Sequence, residues 1–277
     1  LTSSPTPTPS TELSTRVVSA IVMIAAALLA AYWGGWPFAL FWLAAGLAVM
    51  LEWTTMTGAR PLRPVQAVLG LGLAGLTLLL LTEASFGLFV AAALVFPAVA
   101  TLITQGMAHK VWVASSFPYA AIIVLVPPIM REHPHLGILG LLWMFAVVWA
   151  TDIAAYFTGR ALGGPKLCPP ISPKKTWSGF LGGVIAAALS GVLVAWIGET
   201  YGLGLPLGLP GMAVLSIVAS IASQIGDLGE SALKRHCDVK DSSHLIPGHG
   251  GVMDRLDGFW AVCLIVALIL LPFHFTT

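Results

Sequence analysis

The polar chemistry of this 277-residue chain is concentrated in a few places. Ser223, Asp227, Glu230, Ser231 and Lys234 recur at steps of three or four, so they line one face of a helix. Asp152, Tyr156 and Arg160 repeat that spacing, and Asp254 and Asp257 stand three apart beside Arg255. Residues 227–257 hold ten of the 25 charged side chains, with Lys234, Arg235, Lys240 and Arg255 interleaved among the acids Asp227, Glu230, Asp241, Asp254 and Asp257. A second segment, Ser172-Pro-Lys174-Lys175-Thr176, sets two ammonium groups and two hydroxyls just before a predicted helix amino terminus, where backbone N–H groups also favour phosphate. Gly250 and Gly251, after His249, carry no side chain and let a ligand approach the backbone closely. Carboxylates repel phosphate unless a divalent cation stands between them. Acids and bases interleaved in this way are the arrangement of metal-dependent phosphoryl and nucleotidyl transfer.

The elements that must hold these groups are set by composition. Hydrophobic residues make up 57% of the chain and charged residues 9%, where a soluble domain carries about 45–50% and about 25%. So few charges cannot cover a water-soluble globule of this size, and so much apolar surface excludes disorder for the bulk of the chain. Basic residues exceed acidic ones by one, 13 against 12, which speaks against a nucleic-acid binder. A polytopic membrane protein remains. Nine stretches are long and apolar enough to cross a bilayer: 17–33, 36–53, 65–81, 86–105, 111–130, 136–157, 177–198, 212–233 and 256–273. The runs are continuous rather than alternating, so the fold class is all-α and not a barrel. Pro118 and the pair Pro127–Pro128 are expected to bend or end the fifth helix.

The eighth stretch, with Gln224, Asp227 and Glu230 in its second half, is tested by charge. Nine crossings put twelve Lys and Arg residues on the amino-terminal side and Arg131 alone on the other; removing the eighth leaves eight against five. The nine-span pattern therefore predicts a cytoplasmic amino terminus, cytoplasmic active-site loops at 158–176 and 234–255, and a carboxyl terminus outside, in the cell (inner) membrane. Residues 1–16, rich in Ser, Thr and Pro, read as a disordered tail, and 17–277 as a single integral membrane catalytic domain. Carboxylates at 152, 227 and 230, inside helices, are costly without water or a partner, so they predict a wet polar cavity open to the cytoplasm.

Several signals are set aside. Gly70, Gly72 and Gly75 match the dinucleotide-binding spacing, but within a membrane span close helix packing explains them. Cys168, Cys237 and Cys263 show no paired spacing, so neither a disulfide framework nor a zinc site with His236, His244 or His249 is indicated. Glu52 and Trp53, at the rim of the second span, read as interfacial anchors.

The segment from Ser231 to Asp257 resembles the carboxyl-terminal motif of the phosphatidate cytidylyltransferases, also called CDP-diacylglycerol synthases. The pattern S-x-x-K-R-x4-K-D…P-x-H-G-G-x-x-D-R-x-D is matched at every fixed position, over 27 residues. The Ser172–Thr176 segment resembles a second block of that family, and the polytopic layout fits most of the chain. Ser178 departs from the Glu or Gln found there in many members, so no metal or acid–base role is assigned to it.

The resemblance implies a reaction, CTP plus phosphatidate giving CDP-diacylglycerol and pyrophosphate, with Mg2+ as cofactor. It also implies metal binding by Asp227 and Asp254, and a homodimer working on lipid within the bilayer; the neighbouring Asp257 or Asp241 is expected to join the two metal ligands. On this expectation Asp227, Asp254, Lys240, Asp241 and His249 serve the chemistry, His249 as a donor to a phosphate oxygen. Ser172, Lys174, Lys175, Thr176, Lys234, Arg235, Gly250, Gly251 and Arg255 bind the substrates. A CTP-dependent lipid kinase, a CDP-alcohol phosphotransferase and a cation-coupled transporter are the alternatives. The second fits poorly because Asp257-Gly258 is followed by Phe-Trp-Ala-Val. The third fits poorly because the acids crowd at one end of the helices rather than the middle.

Overall fold

A computed structural model describes residues 9–248 and 250–274, and side chains within residues 17–270. Among the described residues the chain forms nine helices: α1 (Pro9–Trp33), α2 (Gly35–Met56), α3 (Leu62–Leu81), α4 (Phe86–Ile103), α5 (Met107–Glu132), α6 (Gly137–Leu162), α7 (Trp177–Thr200), α8 (Gly208–His236) and α9 (Met253–His274). They match the nine expected stretches one for one. Seven of them, α2 to α8, are long and apolar enough to cross a membrane, and α1 adds the apolar stretch Val17–Trp33. The chain is an all-α polytopic membrane protein.

Three differences have local causes. Helix α1 starts at Pro9, inside the segment read as a tail, with proline at the first helical position, where its missing N–H is harmless. Helix α5 runs unbroken through Pro118, Pro127 and Pro128. The loop after α6 contains a hairpin, β1 (Lys166–Cys168) paired antiparallel with β2 (Ser172–Thr176). Gly163 and Gly164, both at positive φ, end α6, and Pro169–Pro170, which cannot donate to a ladder, make the turn between the strands.

Long-range contacts fix which helix ends share a rim. Glu52 of α2 meets Ser242 and Met253, Trp112 of α5 meets His236 of α8, and Lys175 beside α7 meets Asp227. Gln105 N–H donates to the Arg60 carbonyl at 2.7 Å, which adds the α2–α3 and α4–α5 corners to the same rim. At the opposite rim Arg131 donates to the Ala31 carbonyl at 2.8 Å and Gly35 N–H to Glu132 at 3.0 Å. Helices therefore alternate in direction, and Arg131 is separated from the basic residues of the loops.

Two apolar cores stabilise the bundle. Trp42, Phe145 and Phe259 stack between α2, α6 and α9, while Leu69, Leu73, Leu76 and Phe117 join α3 to α5. With lipid outside, close packing and interhelical hydrogen bonds take over from hydrophobic burial. Gly179 and Gly183 bring α7 against α6, and Trp143 Nε1 donates to Ser216 at 2.8 Å. Gly72 fits the same rule: a Cβ there would fall 2.6 Å from the ring of Phe117 and from the Cβ of Phe96.

Candidate active site

Helices α6, α8 and α9 bring their acids to one place near the loop-bearing rim. Asp227 and Glu230, one turn apart on α8, meet Asp257 from the second turn of α9. One oxygen from each lies within 4.8 Å of the others. Asp257 also faces Asp152, which stands at the exposed edge of the group within electrostatic reach of Lys175 and Arg255. Gly226 allows the approach, since a Cβ there would strike the Asp257 carbonyl at 2.8 Å.

Two of the cations expected to bind substrate are engaged with these acids. Lys175 Nζ lies 2.5 Å from Asp227, and Lys234 bridges Glu230 at 2.7 Å and Asp254 at 2.6 Å. Five carboxylates, Asp152, Asp227, Glu230, Asp254 and Asp257, thus face three cations, Lys175, Lys234 and Arg255. Glu230 is 4% exposed and its Oε1 accepts no hydrogen bond. An excess of negative charge with an unpartnered buried oxygen fits a hard divalent cation, and an all-carboxylate donor set suits Mg2+ rather than zinc. Cys237, just past α8, has its thiol raised above the ordinary range by burial and by Asp238, which also disfavours a thiolate-bound metal.

The expected metal set is only partly brought together. Asp227 and Asp257 converge with Glu230, a residue on the polar face to which sequence reasoning gave no metal role. Asp254 is turned to other work: its Oδ2 accepts from Gly251 N–H at 2.8 Å, Ser242 N–H at 3.0 Å and Ser242 Oγ at 3.1 Å. Asp241, the other suggested ligand, lies instead in a polar cavity of about 400 Å³ with Lys240, His244, Pro247, Gly250 and Arg255. Gly250, at φ +79°, and Gly251 are needed by the loop itself. A Cβ on the first would meet Asp254 and on the second Glu52, each at 2.6 Å. His249 lies outside the described residues.

Alternation along β2 separates the two lysines, so that Lys174 is exposed while Lys175 turns to Asp227. Thr176 is the amino-terminal cap of α7, accepting from Gly179 N–H at 3.2 Å. Ser178 donates to the Gly163 carbonyl at 2.5 Å, a structural role consistent with its departure from the family pattern. Ser172 is half-buried at the start of β2. Arg235 points away, donating to the Val239 carbonyl at 3.3 Å.

Two features escaped sequence reasoning. Glu52 is no interfacial anchor but a buried acceptor for Ser242, Ser243, Val252 and Met253; one carboxylate on a mostly apolar helix was its only signal. The second is an apolar cavity of about 690 Å³. Helix α9 packs on both α5 and α8, which approach each other at the rim, where the rings of Trp112 and His236 are 5.4 Å apart. Trp53, Trp112, Tyr119, Trp260 and Leu264 line the space, together with Glu230. Tyr119 and Trp260 stack at 4.3 Å there, and Trp260 Nε1 donates to the Tyr119 carbonyl at 3.0 Å, fixing that wall.

The family model described as the cytidylyltransferase family matches residues 14–273. The chain is 42% identical over 258 residues to the phosphatidate cytidylyltransferase of Brucella suis biovar 1, covering 93% of each. It is 41% identical over 152 residues to the enzyme of that name from Haemophilus influenzae, covering 52% of each. Over 130 residues it is 41% identical to that from Bacillus subtilis, covering 47% of this chain and 46% of the relative.

Proposed function

The chain belongs to the cytidylyltransferase family, and from that membership we infer that it transfers the cytidylyl group of CTP to phosphatidate, giving CDP-diacylglycerol and pyrophosphate in phospholipid biosynthesis. The observation that carries the reading is the placement of the acids of α8 and α9 between two unlike cavities. The polar cavity beside Lys240, Asp241 and Arg255 suits a nucleotide; the apolar one beside Trp53, Trp112 and Trp260 suits acyl chains. Glu230 borders the apolar cavity, and Arg255 reaches from the polar one towards Asp152. Reactants held on the two sides would meet at the carboxylates.

In this mechanism a phosphate oxygen of phosphatidate attacks the α-phosphorus of CTP in line. The bond from that phosphorus to the oxygen bridging to the β-phosphate breaks, and pyrophosphate leaves with the electron pair. The nucleophile is already an anion, so neither a covalent intermediate nor a strong base is needed. Lys175, Lys234 and Arg255 neutralise the reacting phosphates, and the ion pairs of Lys175 with Asp227 and of Lys234 with Glu230 and Asp254 hold the two lysines at the place where those anions arrive. Asp227, Glu230 and Asp257 would hold Mg2+, which when bound supplies charge neutralisation for the triphosphate and its leaving group. Asp254 keeps the loop of the polar cavity in place.

The basic rim is assigned to the cytoplasm of the cell (inner) membrane, on the positive-inside rule, with the carboxyl terminus on the other side. A homodimer belongs to the same reading and rests on the family resemblance. The test is detergent-purified chain given CTP, phosphatidate and Mg2+, with pyrophosphate release followed as each component is omitted. Release that requires all three is expected. Equal release without the lipid would make the protein a nucleotide hydrolase and refute the assignment.

A further inference from the structure

Glu52 is 5% exposed in the last turns of α2, and its four bonds reach residues 190 to 201 positions further along the chain. Its Oε1 accepts from Ser243 Oγ at 2.7 Å and from Val252 N–H at 2.8 Å. Its Oε2 accepts from Ser242 Oγ at 2.9 Å and from Met253 N–H at 2.8 Å. Among the described residues no cation pairs with it. Its charge is met by two hydroxyls and by the start of α9, where free N–H groups favour an anion. Hydrogen bonds to an ionised acceptor are about twice as strong as neutral ones.

These bonds fasten both ends of one loop. Between Ser243 and Val252 lie His244, Pro247 and Gly250 of the polar cavity, with Lys240 and Asp241 just before and Arg255 just after. Inside the loop the backbone pairs at Ile246 N–H to the Gly250 carbonyl, 2.8 Å. Its seating on the bundle comes from Glu52 and Asp254, with one further bond from Ser19 Oγ of α1 to the Pro247 carbonyl at 3.2 Å. Gly251 is part of the fit, because a side chain there would fall on Glu52 and Ser242.

We infer that Glu52 is a positioning residue for the nucleotide: by fastening residues 242–253 it fixes the wall of the polar cavity against the acidic centre, acting on CTP through that loop. It touches neither reactant. This rests on reading the polar cavity as the CTP site, and the experiment separates the two failures.

In purified full-length protein, Glu52→Gln sets an amide N–H against N–H donors that cannot turn away. The KM for CTP should rise about tenfold or more, the cost of losing charge-assisted bonds, while the KM for phosphatidate stays within about twofold. Ser243→Ala removes one of the four donors and should raise the CTP KM in the same direction by about two- to threefold. It keeps the question open to test where Gln at 52 impairs folding. If both KM values rise together, or turnover falls with both unmoved, Glu52 does not position the nucleotide. An active wild type with an unchanged CTP KM in both variants overturns this inference alone. A wild type inactive on CTP with phosphatidate takes the functional reading down with it.

Discussion

Replacing Glu230 by Gln removes one of the three carboxylates whose oxygens lie within 4.8 Å. At that separation and an effective dielectric constant of about 20, each carboxylate pair repels by about 3.5 kcal/mol. The substitution deletes two such pairs, about 7 kcal/mol of gross repulsion. It also deletes the 2.7 Å ion pair with Lys234, about 6 kcal/mol on the same scale. The two effects nearly cancel, and Lys234 keeps Asp254 as a partner. Metal-free Glu230→Gln should therefore melt close to wild type. Its response to Mg2+ is another matter, because one of three anionic ligands has gone. Weaker changes around metal ligands already cost 10–100-fold in affinity, so a loss of at least about 30-fold is expected. At saturating metal that is about 2 kcal/mol less stabilisation. Ten tryptophans make intrinsic fluorescence a convenient readout of melting with and without Mg2+, alongside the Mg2+ half-saturation of pyrophosphate release. A variant that melts like wild type without metal, gains as much stability from Mg2+ and shows the same half-saturation would refute the assignment of Glu230 to the metal.

Asp254→Asn should behave differently, raising the CTP KM and cutting turnover about a hundredfold while moving the Mg2+ half-saturation far less, since its oxygens hold Lys234, Ser242 and Gly251; steady-state titration of each component separates the two patterns. Lys175→Ala breaks the 2.5 Å contact with Asp227 and should lower kcat/KM about a hundredfold or more, at least ten times the loss from Lys174→Ala on the exposed side of the same strand. Gly72→Ala overpacks α3 against Phe96 and Phe117 and should destabilise by about 1–3 kcal/mol, read in thermal melts, with CTP affinity in the folded fraction unchanged.

The nine helices were legible because each is a continuous apolar run, a signal that survives without knowing any partner. The polar face of α8 was legible for the same reason: Asp227 and Glu230 are three apart, and three is a helical step. The choice between Asp254 and Asp257 was not. Both open α9 and both face α8, but Asp254 meets Lys234 while Asp257 joins Asp227 and Glu230, and that division depends on how α9 is rotated by the packing of Gly226 and Ala261, a tertiary fact. Glu52 was hidden by distance, its donors lying on the far side of six helices in sequence, α3 to α8. Gly250 and Gly251 looked like room for a ligand; the room is filled by the protein's own carboxylates. The hairpin at 166–176 was missed because two short strands joined through Pro169–Pro170 give no apolar periodicity.

The acids of α8 and α9 form a partition, with hydrocarbon-lined space on one side and a watery pocket on the other. On the proposed reaction the two products therefore part where they form. The new liponucleotide would leave into the leaflet by way of the apolar cavity lined by Trp112 and Trp260, and pyrophosphate would leave by way of the polar cavity past Arg255. Neither has to overtake the other, so crowding of the membrane with product leaves the inorganic exit free.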